Sequence, residues 1–173
     1  MTSDASQFEV SRPLTIDRIG VEGYDITVQA DPAECAALAA RMHLPAVQSL
    51  TCRFRLRPAR GIGKGDSFEG QGSLRAKVTQ TCVVTLDDFP TELSEEFIVH
   101  FVPAGTEDEE PELDSVDEIP YTGTVIDLGE ASAEQLALAL EPYPRKPGVE
   151  LEQDSAISAE NPFARLAALR KGH

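Results

Sequence analysis

The sequence predicts an α+β fold: a single domain with a curled antiparallel β-sheet or partly open barrel of about five or six strands, and two covering helices. Three observations lead to this prediction. Several segments alternate apolar and polar residues with the two-residue period of a strand. Two others are rich in alanine and leucine at helical spacing. The chain of 173 residues is long enough for one domain with its own core.

The first predicted elements are short. Residues 8–14 are extended, and Pro13 restricts them to the edge of a sheet because proline cannot donate a backbone hydrogen bond. Residues 24–30 alternate and are rich in β-forming residues, which predicts a strand.

The first helix has clear start and stop signals. Asp31 can cap its first turn, Pro32 suits the first helical position, and Glu34 completes a capping-box pattern. We expect the helix to extend to about residue 43, because the residue before Pro45 disfavours helical geometry.

Two long strands, residues 50–57 and 68–82, form the predicted centre of the sheet. In each strand one parity is apolar, and the other includes the basic residues. The glycine-rich residues 58–66 join the two strands as a hairpin loop. The polar face of this hairpin is the concentrated positive surface of the sequence, and its basic residues are the RNA-binding candidates: Arg53, Arg55, Arg57, Arg75 and Lys77.

The second half of the domain is predicted to continue the meander and to end in a helix. Residues 86–90 read as a turn and residues 92–102 as a third antiparallel strand. Residues 107–114 are a like-charge block, which predicts a mobile, solvating loop rather than a binding element. Residues 121–127 are a short strand candidate, and residues 132–140 form a helix that the following prolines terminate.

The domain is predicted to span residues 1–148, and residues 149–173 to form an acidic linker and a short helix. This helix starts with an asparagine cap and a proline, and it carries apolar residues at a spacing of three. A helix this short is marginal alone in water, so it should dock on its own domain or on a partner. The partner-docking candidates are Asn161, Pro162, Phe163, Leu166 and Leu169.

The chain is strongly acidic, with 30 acidic and 15 basic residues and a formal net charge of −15. At long range this charge repels nucleic acid, but screening acts over roughly 8 Å, so a local basic patch can still bind RNA. A basic protein is an equally open partner. The N-terminus resembles no secretory signal, and no run approaches the ~20 apolar residues of a membrane span. Three widely separated cysteines favour the reducing cytoplasm.

Catalytic and metal sites are not expected. No nucleophile motif such as Gly-x-Ser-x-Gly is present, and the glycines of residues 61–67 lack phosphate-loop spacing, so we predict no enzyme and no cofactor. A zinc site needs about four close ligands, which Cys52, Cys82 and His100 do not supply. We expect no metal, and we expect both cysteines to be small core hydrophobes.

Three motifs give the chain a resemblance to a known family. Residues 72–86 read Gly-Ser-Leu-Arg-Ala-Lys-Val-Thr-Gln-Thr-Cys-Val-Val-Thr-Leu, residues 125–130 read Val-Ile-Asp-Leu-Gly-Glu before the leucine-rich helix, and residues 161–164 read Asn-Pro-Phe-Ala. In this order they resemble the bacterial YceD family, which is linked to accumulation of the large-subunit (23S) ribosomal RNA. Many members have a Cys-x-x-Cys-like motif at this place. In this chain Cys82 is the first residue of the motif and Thr85 the last, so the second thiol is absent.

The resemblance implies a non-enzymatic factor that supports synthesis, processing or stability of 23S ribosomal RNA through ribosome assembly. Its partner would then be ribosomal RNA or a pre-ribosomal particle. Like charges opposite one another across strands are destabilising, so the candidate cations suggest a compensating ligand. Three interpretations of that face remain open: it contacts RNA phosphates, it is covered by residues 107–114, or it is simply solvated. The alternative function is an acidic adaptor or chaperone for a basic ribosomal protein.

Overall fold

In the computed structural model of the chain, residues 8–59, 66–106 and 116–149 are described. Within them the protein is α+β, as predicted. A single turn of 3-10 helix (Ile16–Arg18) follows the first strand. The helices and strands are β1 (Pro13–Thr15), β2 (Tyr24–Gln29), α1 (Pro32–Arg41), β3 (Ala46–Ala59), β4 (Ser67–Thr81), β5 (Asp88–Pro103), β6 (Asp117–Tyr121), β7 (Val125–Asp127) and α2 (Leu128–Ala139).

The main sheet has the strand order β2-β3-β4-β5-β6, and β1 pairs with β7 in a separate two-stranded sheet. The predicted meander of β3, β4 and β5 is confirmed, because these strands pair antiparallel in succession. The prediction of a purely antiparallel sheet is wrong for β6, which runs parallel to β5. The sheet is open, since β2 and β6 are its two edges and do not pair. It therefore does not close into a barrel.

Several predicted boundaries differ from the structure, among them the start of β3, which begins at Ala46 rather than at residue 50. β5 begins at Asp88, so the turn is shorter than the predicted residues 86–90, and Leu86 adopts a positive φ of 60° within it. The predicted strand at residues 121–127 is divided between β6 and β7 by a turn containing Gly123, whose φ is 68°. α2 starts at Leu128 rather than at residue 132.

The capping box of α1 is confirmed. The Asp31 carboxylate accepts hydrogen bonds from the backbone N–H groups of Ala33 and Glu34, and the Glu34 carboxylate accepts one from the Asp31 backbone. Glu34 also receives the Arg12 guanidinium, with N–O distances of 2.7 and 2.9 Å. These bonds satisfy the first helical N–H groups and attach the N-terminal segment to the helix.

The core lies on one face of the main sheet. Leu50, Cys52 and Leu74 point from β3 and β4 into it, and Leu38 of α1 and Leu136 of α2 join the same cluster. All five side chains are at most 1% exposed. We call this covered face the inner face. On the opposite, outer face, the alternate residues of β3 and β4 are largely exposed.

Asp127 joins the N-terminal segment to the start of α2. Its carboxylate accepts hydrogen bonds from the Ser11 hydroxyl at 2.6 Å and the Arg12 backbone N–H at 2.8 Å. The same carboxylate caps α2 by accepting from the N–H groups of Gly129 and Glu130. Because this cap satisfies the first turn, the helix begins earlier than its leucine spacing indicated.

Gly129 is tightly packed against the N-terminal segment. A Cβ atom at this position would lie 2.4 Å from the carbonyl oxygen of Val10 and 2.7 Å from its carbonyl carbon. These are backbone atoms, which cannot rotate away. Only a residue without a side chain therefore allows the N-terminal segment before β1 and α2 to approach this closely.

We predict that Gly129→Ala destabilises the fold by about 1–3 kcal/mol, because overpacking outweighs the ~1 kcal/mol that alanine gains in a helix. The measurement is the free energy of unfolding from urea titration. Gly20→Ala is the matched control, since no atom lies within 4 Å of its Cβ position. Equal stability of the two variants would contradict the close contact.

Candidate nucleic-acid interface

The candidate cations are all exposed and all lie on the outer face: Arg53, Arg55, Arg57, Arg75 and Lys77. The register between β3 and β4 places Lys77 beside Ser49 and Arg75 beside Thr51. The three arginines of β3 follow at every second residue. The five cations therefore occupy five consecutive levels of the sheet, and we call this line of side chains the cation row.

The cation row is regular because strand geometry sets its spacing. Two residues of an extended strand advance about 6.7 Å, so the row is about 27 Å long from Lys77 to Arg57. The cations of β3 face uncharged or acidic partners across the strand pair, Ser73 opposite Arg53 and Glu69 opposite Arg57. The expected repulsion between cations directly opposite one another is therefore wrong: the register staggers them.

The outer face is concave around the cation row. Two depressions of about 1000 Å³ and 570 Å³ adjoin there, and Arg53 and Ser73 line both. The larger depression extends across β2, β3, β4 and β5, and the smaller continues along the last three of these strands toward Lys77. We call the two depressions together the trough.

Carboxylates border the cation row on both sides. Asp25 of β2 forms an ion pair with Arg55, with an N–O distance of 3.3 Å, and Glu92 of β5 forms one with Lys77 at 2.8 Å. The hydrogen bond between Lys77 and Glu92 raises the pKa of the lysine and lowers the pKa of the glutamate. Glu96 also lines the trough. The outer face is therefore a cationic stripe between acidic margins.

Three of the five cations form no ion pair with a carboxylate of the described residues. Within the described residues, no ion pair involves Arg53, Arg57 or Arg75. Their guanidinium groups are exposed and can each donate several hydrogen bonds to an anion.

Sequence reasoning located the cations but missed the acidic margins. The alternation of β2 and β5 already placed Asp25, Glu92 and Glu96 on one parity of each strand. Which residue of one strand lies beside which residue of the next depends on the register, and alternation does not specify it.

Cys52 is a core hydrophobe, as predicted, and burial raises the pKa of its thiol to about 12. Cys82 is also buried but has a different environment. Its sulfur accepts hydrogen bonds from the Thr85 hydroxyl and from the backbone N–H groups of Lys146, Thr85 and Val84, which lower the pKa of the thiol to about 6. The sequence did not indicate this polar pocket, because the Lys146 contact comes from a distant part of the chain.

Cys52, Cys82 and His100 do not converge. Cys52 lies beside Leu74 on the inner face, Cys82 follows the end of β4, and His100 is on the outer-face parity of β5. Among the residues that the structure describes, no group of three or more His, Cys, Asp or Glu side chains has a metal-binding arrangement.

Several predicted features lie outside the described residues, including most of the hairpin loop at residues 58–66 and the acidic linker after residue 149. Two others bear on the candidate partners. One is the acidic block at residues 107–114. The other is the set of partner-docking candidates, Asn161, Pro162, Phe163, Leu166 and Leu169. Both stay predictions. In the described ranges neither helix has the length and apolar character to cross a bilayer.

The fold and the outer face define a class of protein. It is a small α+β protein whose open sheet is covered by helices on one face and carries a cation row on the other. Comparison with known proteins identifies the family. Residues 70–170, more than half of the chain, match the model of the large ribosomal RNA subunit accumulation protein YceD, and the chain belongs to this family. Searches of curated proteins and of solved structures found no match.

We predict that Thr85→Val raises the pKa of the Cys82 thiol from about 6 toward its ordinary value of 9.0, because the variant removes the strongest donor to the thiolate. The ultraviolet absorbance of the thiolate, followed against pH, measures this pKa. Cys82→Ala identifies the signal, since it should abolish the low-pH titration. An unchanged titration in Thr85→Val would show that the hydroxyl does not stabilise the thiolate.

The sign of the linked stability follows from the same shift. The pKa is lower in the folded protein, so the thiolate contributes stability above pH 9.0 that is lost as the pH falls through about 6. Wild type should therefore lose more free energy of unfolding than Cys82→Ala over this interval.

Proposed function

We propose that this protein is a non-enzymatic cytoplasmic factor that supports synthesis, processing or stability of 23S ribosomal RNA through ribosome assembly, and that it contacts RNA phosphates with the cation row. One observation carries the proposal: five cations stand at consecutive levels of an exposed, concave sheet face in a chain of net charge −15. Membership of a family named for accumulation of the large ribosomal RNA supports RNA as the partner.

The electrostatics allow such a contact at short range. Net charge acts between separated molecules, but salt screens exposed charges over about 8 Å at physiological ionic strength. Phosphates seated in the trough are closer than this to the cation row. Arg53 and Arg75, which line the trough, can bind them directly, and Arg57 can bind a phosphate just beyond the trough. Arg55 and Lys77 have to exchange a carboxylate for a phosphate. We therefore expect about three to five phosphate contacts.

The test begins with a pull-down of the intact protein from bacterial lysate at low salt, with and without RNase. Large-subunit RNA should be captured, lost after RNase and lost in the Arg53→Ala, Arg55→Ala, Arg57→Ala triple variant. Binding of purified RNA is then titrated at several salt concentrations. Arg53→Gln should reduce the slope of log affinity against log salt by about 0.7–0.9, the value of one phosphate contact.

Arg145→Gln is the matched control for Arg53→Gln. Arg145 is exposed, forms no ion pair with a described residue and lies outside the trough. It should leave the salt slope unchanged. Salt-independent binding, or equal slopes in the two variants, would refute phosphate contact by the cation row.

The edge of β5 favours a second candidate function, an acidic adaptor or chaperone for a basic ribosomal protein. β6 pairs only with the end of β5, so residues 88–98 pair on one side only among the described strands. Exposed carboxylates lie along this stretch: Asp88, Glu92, Glu95 and Glu96. Acidic groups on a strand edge repel a second acidic chain and attract a basic one.

In this alternative, a basic ribosomal protein should remain bound after RNase treatment. Deletion of residues 107–114 and the Glu95→Gln, Glu96→Gln double variant should each weaken its capture. The exposed pair Asp17→Asn, Glu22→Gln removes the same charge elsewhere and should not. If capture is unchanged in the edge variants, the β5 edge is not the contact.

A further inference from the structure

The trough offers hydrogen-bonding groups, and none of its described outer-face positions carries an aromatic side chain. Between and beside the cations its lining includes uncharged polar side chains, among them Thr27, Gln71 and Ser73 of the larger depression and Thr51 and Ser94 of the smaller. On the described part of the outer face, strands β2 to β5 present no Phe, Tyr or Trp. Phe54 and Phe97 border the larger depression, but their strand positions have inner-face parity. Single-stranded RNA is bound largely by stacking of unpaired bases on such rings.

The acidic margins restrict the ligand further. Asp25 and Glu96 line the same depression as Arg53 and Arg55. A carboxylate repels a phosphate, so a polyanion gains from these two groups only where it presents hydrogen-bond donors. RNA carries such a donor at every nucleotide, the 2′-hydroxyl, which DNA lacks. The mixed charge of the trough therefore suits RNA better than DNA.

The dimensions fit one side of a nucleic-acid helix. Four strands at about 4.8 Å separation give the trough a width of about 14 Å, and the cation row is about 27 Å long. A concave surface of this size matches a convex cylinder rather than a thin strand. In A-form RNA the wide, shallow minor groove presents 2′-hydroxyls between two lines of phosphates.

We infer that the trough binds double-helical RNA across its minor groove, with the cation row on phosphates and the flanking polar and acidic side chains on 2′-hydroxyls. This inference rests on the proposed RNA-binding function and adds the class of RNA. Recognition of this kind reads helix shape rather than base sequence, so helices of different sequence bind alike.

The test compares three labelled probes by fluorescence anisotropy with the intact protein at low salt. They are an RNA duplex of about 20 base pairs, the DNA duplex of the same sequence and one isolated RNA strand without self-complementarity. The duplex length exceeds the ~16 base pairs that a double-stranded-RNA-binding domain spans. The RNA duplex should bind at least about tenfold more tightly than either other probe, because the DNA duplex lacks 2′-hydroxyls and the single strand does not hold its phosphates and 2′-hydroxyls at A-form spacing.

Each outcome is informative. Equal affinity for the two duplexes would overturn the contact with 2′-hydroxyls, and equal or tighter binding of the single strand would overturn the choice of helical RNA. In both cases the proposed RNA function stands. If none of the three probes binds, the proposed function fails and this inference fails with it.

Variants separate the two kinds of contact. The Gln71→Ala, Ser73→Ala double variant should reduce the preference for the RNA duplex over the DNA duplex while leaving the salt slope unchanged. Gln48→Ala is the control, because Gln48 lies on the same sheet but lines neither depression. An unchanged preference in the double variant would remove these side chains from the contact. Arg53→Gln should weaken both duplexes and lower the salt slope for both.

Discussion

The register between β3 and β4 is the constraint on which both the core and the outer face depend. Side chains alternate between faces along a strand, so a slip of one residue would exchange every inner residue with an outer one. The observed register places Leu50 beside Ala76 and Cys52 beside Leu74, all buried. The same pairing staggers the cations of the two strands into one row. Burial of the inner face therefore positions the outer face, and the cation row needs no separate stabilising interaction.

Much of this arrangement could be predicted from the sequence, and what could not has physical causes. Alternation identified the faces of β3 and β4, and local capping signals identified α1, because both depend on neighbouring residues. The start of β3 could not be predicted from alternation, because a bulge between Val47 and Ser49 interrupts the two-residue period. Most of β6 was not predicted, because this strand is short, contains Pro120 and gains its stability from parallel pairing with β5. The order of cations along the row, and the carboxylates beside them, depend on the register between strands, which no local pattern encodes.

The acidic composition and the cation row are compatible because they act at different distances. The negative charge is distributed over the whole chain, while the row concentrates positive groups within one concave surface. Exposed ion pairs contribute little to stability, so Arg55 and Lys77 can exchange Asp25 and Glu92 for phosphates at small cost. In the proposed RNA complex, the margins would then disfavour anions that offer no hydrogen-bond donor. Under this proposal an acidic protein would gain selectivity, because a polyanion would bind only where its shape brings phosphates onto the row and donors onto the margins.

The outer face stays open because α2 is attached to the inner side of the sheet at both ends. At its start, Asp127 connects the helix to Ser11 and Arg12. Beyond its end, the backbone of Val83 donates to Pro144, and the sulfur of Cys82 accepts from the Lys146 backbone. The Cys82 pocket thus holds the segment after α2 against the turn after β4. The donors around the Cys82 sulfur lower the pKa of its thiol and connect these two segments. With α2 held at both ends, both helices remain on one side, and the cation row stays accessible on the other.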